Sequence, residues 1–399
     1  MNHIKRVSIL FSFFVLIAFT RAAGLQVQGN VGKLIPVAIK GYQGEVAKVL
    51  AFDLEVMGCK MVPEGDASYV LDGKNGPANL TGILRDNAGN FGFNLNINGA
   101  APRVLAHALS NATIKAITGQ DGIAHTRILF TMKTGKSEWE VFQSDYDGHN
   151  PVALTHDKSI VENPLWMPDH SGLFYTSWMT IGGLQNTTVV KHDLKTGKRK
   201  VFSRFKGLNT GGAMAPHGPV ALVLSKGGAT DLYLAPKDWE FLKDIPGKNL
   251  FRGTRTREEV SSPSWSPDGR WVTFATIVKG RYVLVKVAVG GGPMIEIPTK
   301  GAFRPTQPCW SPDGKWITFT QQRGKNFNIG VVEATGGNAV IFSDFQGEDP
   351  AWAANSRNII FTRRAGSVNK KRMAILDVPT EQVKMLPAFA GGVGQPAWQ

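Results

Sequence analysis

The sequence contains few cysteines, few acidic residues relative to basic ones, and a single long apolar run. Its 399 residues include only Cys59 and Cys309, too few for a disulfide-stapled scaffold. The two residues belong to different predicted domains, which favours two thiols packed as small apolar side chains over one long-range disulfide. Neither cysteine has a partner at zinc-site spacing, so we expect no bound metal.

Several catalytic signatures are also missing from the chain. There is no Gly-x-Ser-x-Gly elbow, no glycine-rich phosphate loop and no His-Glu-x-x-His helix, which removes the usual signs of a serine hydrolase, a nucleotide enzyme or a zinc protease. His107 lies on a predicted helix, where a core or interface role is favoured over catalysis. His217 lies in a predicted turn. The pattern therefore favours binding over catalysis and predicts no cofactor.

Acidic residues are outnumbered by basic ones, 31 against 45, which gives a formal charge of +14. The basic residues are dispersed, and the densest clusters, Lys195–Lys200 and Asn369–Arg372, fall where hairpin turns are expected. Solvated turns are favoured over a nucleic-acid patch. The charge would still attract an anionic surface or an acidic partner at long range.

The one long apolar run is at the N-terminus, where Lys5 and Arg6 precede 13 apolar or small residues. This run is too short to span a bilayer and is typical of a signal peptide. We predict that residues 1–22 are the signal peptide, with cleavage after Ala22 or, alternatively, after Ala23; an uncleaved anchor is the other interpretation. The mature chain is then expected to be exported and soluble.

A repeat of about 45 residues occupies the rest of the chain. Each copy has an aromatic anchor, a turn resembling Ser-Pro-Asp-Gly, and a hydrophobic strand followed by a second strand. The anchors are Trp166, Met214 in a divergent copy, Trp265, Trp310, Trp352 and Trp398. Units of this length and alternation are typical of propeller blades.

The last anchor, Trp398, has no strand after it, whereas the strand at Ile128–Met132 has no anchor before it. These two halves complete one unit, so we predict a closed ring of six blades over 120–399. The other hydrophobic strands are expected at Leu173–Ser177, Val220–Leu224, Trp271–Ala275, Trp316–Thr320 and Asn358–Thr362. The tryptophans are expected to fill the wedges between blades, and Asp268 and Asp313 to act as turn residues, not metal ligands.

Residues 23–119 lack the repeat. Strand patterns at residues 34–40, 67–73, 79–86 and 91–97 alternate with helix patterns at residues 44–59 and 101–119, where Gly119 provides a C-terminal stop. The fold class is therefore mainly β: a six-bladed β-propeller with a small N-terminal α/β domain.

The residues just before each inner strand should arrive at one mouth of the central channel. They are mostly polar or acidic and differ between blades, which suits a protein or peptide partner, although they could also simply solvate the rim. They are Glu162 and Asn163, Gly211 and Gly212, Ser261 and Ser262, Thr306 and Gln307, Glu348 and Asp349, and Gly394 and Gln395.

Three stretches make the chain resemble a known family. The segments at Ala106–Phe130 and Ser144–Thr155, together with the terminal Pro-Ala-Trp, are similar to the domain junction, the first-blade turn and the ring closure of the TolB family. That resemblance implies a periplasmic, non-enzymatic and monomeric protein of the Tol-Pal envelope system, which serves outer-membrane integrity, cell division and protein import.

The resemblance also implies two partners. A Pal-like peptidoglycan-associated lipoprotein would bind at the propeller mouth, where the matching positions are Leu208, Gly211 and Ser261. A TolA-like inner-membrane protein would bind the N-terminal segment at residues 23–33, which includes Leu25, Gln26, Val27 and Gln28. The alternative is a propeller enzyme of the oligosaccharide-lyase or peptidase-accessory type. The pairs before the inner strands contain no histidine for a lyase metal site, and no hydrolase domain follows Trp398.

Overall fold

The computed structural model describes residues 32–99, 101–181, 184–238, 251–252, 259–364 and 371–399. The predicted signal peptide and the segment at Leu25–Gln28 lie outside the described residues. The chain forms an α/β unit followed by six four-stranded sheets, as predicted. None of the helices in the described ranges is long and apolar enough to cross a membrane.

The N-terminal unit is a five-stranded mixed sheet covered on one side by two helices. The strands occur in the order β2-β1-β3-β4-β5, with parallel pairing around β1 and antiparallel pairing from β3 onward. The elements are β1 (Ile35–Lys40), α1 (Gly44–Val56), β2 (Cys59–Met61), β3 (Tyr69–Asn75), β4 (Asn79–Asp86), β5 (Phe91–Asn98) and α2 (Pro102–Thr118).

The first helix is shorter than its apolar pattern predicts. The pattern runs to Cys59, but α1 ends at Val56 and Cys59 begins the short strand β2. Gly58 makes the turn with φ +82°, and a Cβ there would lie 2.5 Å from Nη2 of Arg357 in the propeller. Glycine is therefore required at this contact both for its left-handed backbone and for its lack of a side chain.

In the described ranges the six blades contain 24 strands, with four strands forming the antiparallel sheet of each blade. The first blade comprises β31 (Val393–Trp398), β6 (Arg127–Lys133), β7 (Trp139–Asp145) and β8 (Val152–Ala153). The second and third comprise β9 (Val161–Trp166), β10 (Gly172–Ile181), β11 (Leu184–Asp193) and β12 (Arg199–Ser203), then β13 (Asn209–Met214), β14 (Val220–Gly227), β15 (Ala229–Ala235) and β16 (Phe251–Arg252).

The remaining blades follow the same plan. The fourth comprises β17 (Val260–Trp265), β18 (Trp271–Val278), β19 (Arg281–Ala288) and β20 (Ile295–Ile297). The fifth comprises β22 (Pro305–Trp310), β23 (Trp316–Arg323), β24 (Asn326–Glu333) and β26 (Val340–Phe342), and the sixth β27 (Gly347–Trp352), β28 (Asn358–Arg364), β29 (Lys371–Asp377) and β30 (Gln382–Met385). A small ladder of β21 (Thr299–Lys300) and β25 (Gly337–Asn338) joins the fourth and fifth blades.

The chain closes the ring as predicted. Strand β31 pairs with β6 in antiparallel register, with Trp398 opposite Ile128. The backbone N–H of Gln399 donates to the carbonyl oxygen of Arg127 at 2.9 Å. Closure places the first and last strands of the propeller in one sheet and removes the open edges of a linear array.

Three of the repeat tryptophans, Trp265, Trp310 and Trp352, join neighbouring blades, as expected from the sequence. Trp265, Trp310 and Trp352 are buried. The indole N–H of Trp310 donates to Thr273 Oγ1 of the fourth blade at 2.8 Å, and the indole N–H of Trp265 donates to the carbonyl oxygen of Ala213 in the third at 2.9 Å. Each indole therefore packs against one blade and bonds the blade before it.

The Ser-Pro-Asp-Gly segments are turns, as predicted. Ser266 Oγ donates to Asp268 Oδ1 at 2.6 Å, and the backbone N–H of Arg270 donates to the same oxygen at 3.0 Å. Gly269 follows with φ +68°. The hydrogen bond from Ser266 is the main reason that the pKa of Asp268 is lowered to about 2. Asp313 accepts the equivalent bonds from Ser311 and Lys315 in the fifth blade.

These turns mark one face of the propeller, here called the turn face, and the N-terminal unit packs on it at the first and sixth blades. The amide of Asn358 donates to the carbonyl oxygen of Val56 at 2.8 Å. His107, predicted to have a core or interface role, is buried, and its Nδ1 lies 2.8 Å from Asp53 Oδ2. Tyr146 of the first blade donates to the other oxygen of Asp53 at 2.5 Å.

The opposite face is called the rim face. On it the innermost strands begin and the second strand of each blade turns into the third. Its segments include the blade connection at residues 204–208 and the hairpins at residues 279–280 and 324–325. The α/β unit and the channel mouth predicted to bind a partner thus occupy opposite faces of the ring.

Candidate functional site

Six strands surround the central channel, one from each blade. They are β31, β9, β13, β17, β22 and β27, and each contacts the next around a closed ring. The predicted mouth residues lie within these innermost strands, not before them as the sequence suggested. The strand containing the anchor tryptophan is innermost, and the more hydrophobic strand used to place the mouth residues is the second in each blade.

Each innermost strand contains a bulge at its mouth residues. Pairing with the second strand shifts register there in all six blades. Five of the bulges have a non-glycine residue with left-handed backbone followed directly by proline. These residues are Asn163 (φ +52°), Ser262 (+52°), Gln307 (+52°), Asp349 (+56°) and Gln395 (+51°). Because proline has no N–H, the ladder loses a donor at the point where pairing is already interrupted.

The bulge side chains bond one another from blade to blade. Gln307 Nε2 donates to Asp349 Oδ1, and the Asp349 N–H donates back to Gln307 Oε1 at 3.2 Å. The Gln395 N–H donates to Asp349 Oδ2 at 3.3 Å. The Asn163 N–H donates to Gln395 Oε1 at 2.9 Å, and Asn163 Nδ2 to Thr210 Oγ1 at 3.2 Å. This polar circuit of Gln307, Asp349, Gln395, Asn163 and Thr210 connects five of the six blades.

Asp349 is the carboxylate of the polar circuit. Besides Gln307 and Gln395, it accepts a bond from Thr362 Oγ1 at 3.2 Å. Burial raises the pKa of Asp349, the nearby charge of Glu348 raises it further, and Lys371 opposes both effects. The carboxyl group therefore organises its neighbours from a half-buried position in the channel wall.

A cavity of about 490 Å³ occupies the channel inside this ring. The polar circuit and Ser261 and Ser262 line it, together with an apolar part formed by Leu165, Ala213 and Cys309. The prolines after the bulges also line it: Pro164, Pro263, Pro308, Pro350 and Pro396. The cavity thus combines amide and hydroxyl groups with an apolar wall, a lining suited to an inserted side chain or loop of a partner.

Several of the predicted site residues share this cavity. Those that line it are Asn163, Gly211, Ser261, Ser262, Gln307, Asp349 and Gln395.

The other predicted residues of the mouth lie around the cavity. Glu162 accepts a bond from the indole N–H of Trp178 at 3.1 Å, and Glu348 forms an ion pair with Lys371. Thr306 donates to the carbonyl oxygen of Thr320 at 3.3 Å. Leu208 lies in the blade connection with 37% of its surface exposed, held by a bond from its N–H to Ser225.

Three participants in the mouth were not predicted from the sequence. Thr210 and Thr362 bond the polar circuit, and Trp178 bonds Glu162. Thr176, Thr320 and Thr362 occupy corresponding positions on the second strands opposite the bulges. A recurring threonine within the hydrophobic strand was the available signal.

Two further observations concern metal binding and the two cysteines. Within the described ranges, no three His, Cys, Asp or Glu side chains lie close enough together to hold a metal ion. Cys59 and Cys309 are free thiols, and burial raises the pKa of Cys59 to about 12. The thiols therefore act as packing groups, as favoured from the sequence.

Comparison with known proteins identifies relatives of the propeller. A family model described as the TolB beta propeller domain matches residues 114–399. Proteins called Tol-Pal system protein TolB from Actinobacillus pleuropneumoniae serotype 5b and Haemophilus ducreyi are 30% and 27% identical to the chain over 188 residues. These matches cover 45% of this chain and 42% of each relative, so the chain matches less than half the length of these curated relatives.

Solved structures extend the similarity of fold over more of the chain. The crystal structure of TolB from Acinetobacter baumannii superposes with a TM-score of 0.78 at 20% identity, covering 92% of this chain and 97% of that one. A putative TolB from Agrobacterium tumefaciens gives a TM-score of 0.51 at 18% identity, covering 67% and 90%. At these identities the superpositions show the fold alone.

Proposed function

The chain belongs to the TolB β-propeller family, and on that premise we propose that it is a periplasmic, non-enzymatic component of a Tol-Pal system. In this proposal the rim face of the propeller holds a Pal-like peptidoglycan-associated lipoprotein. The N-terminal segment links this complex to a TolA-like inner-membrane protein. The assembly would support outer-membrane integrity and constriction during division.

The observation that carries the proposal is the polar bulge ring at the channel mouth. Six bulged strands present backbone and amide groups around a cavity that combines polar and apolar walls. The bulge residues of five blades are non-glycine residues held in a left-handed conformation, which costs of order 1 kcal/mol or more each. Such strain, repeated around one mouth, supports a binding role for that mouth.

A non-enzymatic role is supported by how the channel carboxylate is used. Asp349 bonds Gln307, Gln395 and Thr362, so its oxygens hold the wall in shape. The residue is thereby committed to the architecture of the mouth, which suits recognition of a preformed partner surface.

We also propose the division of the chain that the sequence suggests. Residues 1–22 are removed on export, residues 23–119 form the α/β domain, and 120–399 form the propeller. The N-terminal segment with Leu25, Gln26, Val27 and Gln28 then becomes the start of the mature protein, where a TolA-like partner can reach it.

A capture experiment tests the proposal. The tagged mature protein, from residue 23, should recover a peptidoglycan-associated lipoprotein from a solubilised envelope extract. Ser261 lines the cavity, so Ser261→Arg should fill the mouth and reduce recovery at least about tenfold without altering the melting temperature. Thr196→Arg on the exposed hairpin of the turn face is the matched control and should capture normally.

The same extract addresses the N-terminal contact. Removal of residues 23–31 should abolish capture of a TolA-like protein and leave lipoprotein capture intact. If folded wild-type protein recovers no lipoprotein, or Ser261→Arg recovers as much as the wild type, the rim-face assignment is wrong.

A further inference from the structure

A group of exposed basic residues lies on the rim face of the fourth and fifth blades. They come from two hairpins and from the connection between the blades, and two exposed aromatic side chains, Tyr282 and Phe303, lie among them. The basic residues are Lys279, Arg281, Arg304, Arg323 and Lys325. These seven residues are called the basic sector.

Very little acidic charge offsets the basic sector. Among the residues that the structure describes, one carboxylate lies within 4.0 Å of these five cations: Glu296, at 3.5 Å from Arg281, in an exposed pair. The cations of the sixth blade are arranged differently. Lys371 pairs with Glu348, and Arg372 donates to the carbonyl oxygen of Leu386 at 2.5 Å. Among the described residues, four of the five cations of the basic sector therefore have no carboxylate within ion-pair distance.

The sector is also held in a defined shape. The guanidinium carbon of Arg304 lies 5.2 Å from the ring centre of Tyr282. The backbone of Arg304 is left-handed, with φ +43°, which fixes the direction from which the side chain leaves the loop. The N–H of Phe303 donates to Gln321 Oε1 at 2.9 Å, while 53% of the Phe303 surface stays exposed.

A guanidinium held over an aromatic ring by a cation–π contact still has N–H donors free to bond a partner. These donors match a carboxylate, which can accept two parallel bonds. Holding the side chain in advance reduces the conformational entropy lost when a partner binds. Arg304 is thus placed as an anchor, with Phe303 beside it as an apolar contact.

The basic sector is continuous with the channel mouth. Arg304 directly precedes β22, the innermost strand of the fifth blade, and lies two residues before Thr306 and three before Gln307. A protein seated over the mouth would therefore extend over the sector. Two features disfavour a membrane as the binding partner. A flat bilayer does not fit a concave mouth. Large exposed apolar side chains are also few on the described rim face, where they are Leu208, Tyr282 and, most exposed, Phe303.

We propose that the basic sector is the second half of the docking surface and binds an acidic patch on the partner protein, with Arg304 receiving a carboxylate. This inference rests on the proposed function of the rim face and adds the chemistry and position of the contact. The partner sits off-centre, over the fourth and fifth blades. Its acidic patch speeds association by electrostatic attraction, and Arg304 slows dissociation.

The test uses the full mature chain and the purified periplasmic domain of the peptidoglycan-associated lipoprotein from the same organism. Binding is measured for the wild type, Arg304→Glu, Arg304→Gln and Lys195→Glu at about 50 mM and about 300 mM salt, which changes the screening length about two- to threefold. Lys195 is exposed on the turn face, so Lys195→Glu carries the same charge change away from the sector. Arg304→Gln removes the charge without introducing repulsion.

We expect Arg304→Glu to weaken binding at least about tenfold at low salt, Arg304→Gln to weaken it by less, and Lys195→Glu to change it by no more than about twofold. Wild-type binding should weaken as salt rises. Normal binding by a folded Arg304→Glu protein, or wild-type binding that does not change with salt, would contradict the role of the basic sector in binding an acidic patch. Either result would leave the proposed function unaffected. Absence of lipoprotein binding by the wild type overturns both.

Vesicles containing phosphatidylglycerol provide the competing outcome. We expect the wild type and Arg304→Glu to bind them equally weakly. If the wild type binds the vesicles strongly through Arg304 while both proteins bind the lipoprotein alike, the sector is a membrane contact and the proposal of an acidic protein partner is overturned.

Discussion

At the scale of single residues, the bulge positions decide the character of the channel mouth. Asn163, Gln307, Asp349 and Gln395 have left-handed backbone, a conformation that asparagine and aspartate tolerate better than most residues. The left-handed turn places their amide and carboxylate groups against the neighbouring blade, where they bond one another. Local backbone strain is thereby offset by hydrogen bonds between blades.

Asp349 provides a pH-dependent test of this arrangement. Burial and the charge of Glu348 raise its pKa in the folded protein, so the folded chain holds the proton more tightly than the unfolded chain. Its favourable contribution is therefore complete below the unfolded value of about 3.9 and declines as pH rises through the folded pKa. Asp349→Asn removes this titration.

The free energy of unfolding of Asp349→Asn, relative to the wild type, should therefore rise between about pH 4 and about pH 7. Denaturant unfolding of both proteins across this range measures this difference. Parallel stability profiles for the two proteins would show that the Asp349 carboxyl group titrates normally.

At the scale of elements, the anchor tryptophans connect the blades. Trp310 is buried between the fourth and fifth blades and bonds Thr273 across the boundary. The third blade has Met214 instead, and Gly211 and Gly212 at its bulge. A Cβ on Gly212 would lie 2.6 Å from the Cβ of Phe174 in the second blade. The third blade can therefore pack closely against the second because glycine has no side chain at this position.

Removing an anchor should destabilise the propeller through a cavity. Trp310→Ala should lower the free energy of unfolding by about 3–5 kcal/mol. Trp310→Phe, which keeps an aromatic ring but loses the bond to Thr273, should cost less, about 1–2 kcal/mol. Chemical denaturation followed by circular dichroism measures both. Little or no loss in Trp310→Ala would mean that the wedge contact contributes little.

Local patterns in the sequence could predict much of the fold. The recurring anchor and turn predict six sheets. The strand at Ile128–Met132, which lacks an anchor, and the terminal Trp398, which lacks a following strand, together predict ring closure, and the structure confirms it. The sequence pattern does not separate the short strand at Cys59 from α1, because two apolar residues and a glycine continue the helical pattern without a proline to end it. Such a boundary depends on the contact of Gly58 with the propeller, which local patterns do not contain.

The candidate site could be predicted only in part. The polarity of Gln307 and Asp349 before proline pointed to the mouth, but their bonds join residues 42 positions apart. The basic sector shows the same limitation. Tyr282 and Arg304 come together only because adjacent blades place a hairpin beside a connection. Ring geometry creates both features, and no single blade contains them.

At the scale of the whole molecule, the two faces of the ring are used differently. The α/β unit covers part of the turn face, where Asn358 and Tyr146 bond it. The rim face carries the channel mouth and the basic sector. In the proposed function, a partner seated on the rim face would therefore leave the α/β unit uncovered.

Hydrogen–deuterium exchange of the mature chain, with and without the periplasmic domain of the lipoprotein, tests this division of the two faces most directly. The account predicts slower exchange in the rim-face hairpins at residues 279–281 and 323–326 and in the connection at residues 301–304. The turns at residues 266–270 and 311–315 should exchange at unchanged rates. Protection confined to those turns, with the rim-face segments unaffected, would contradict it.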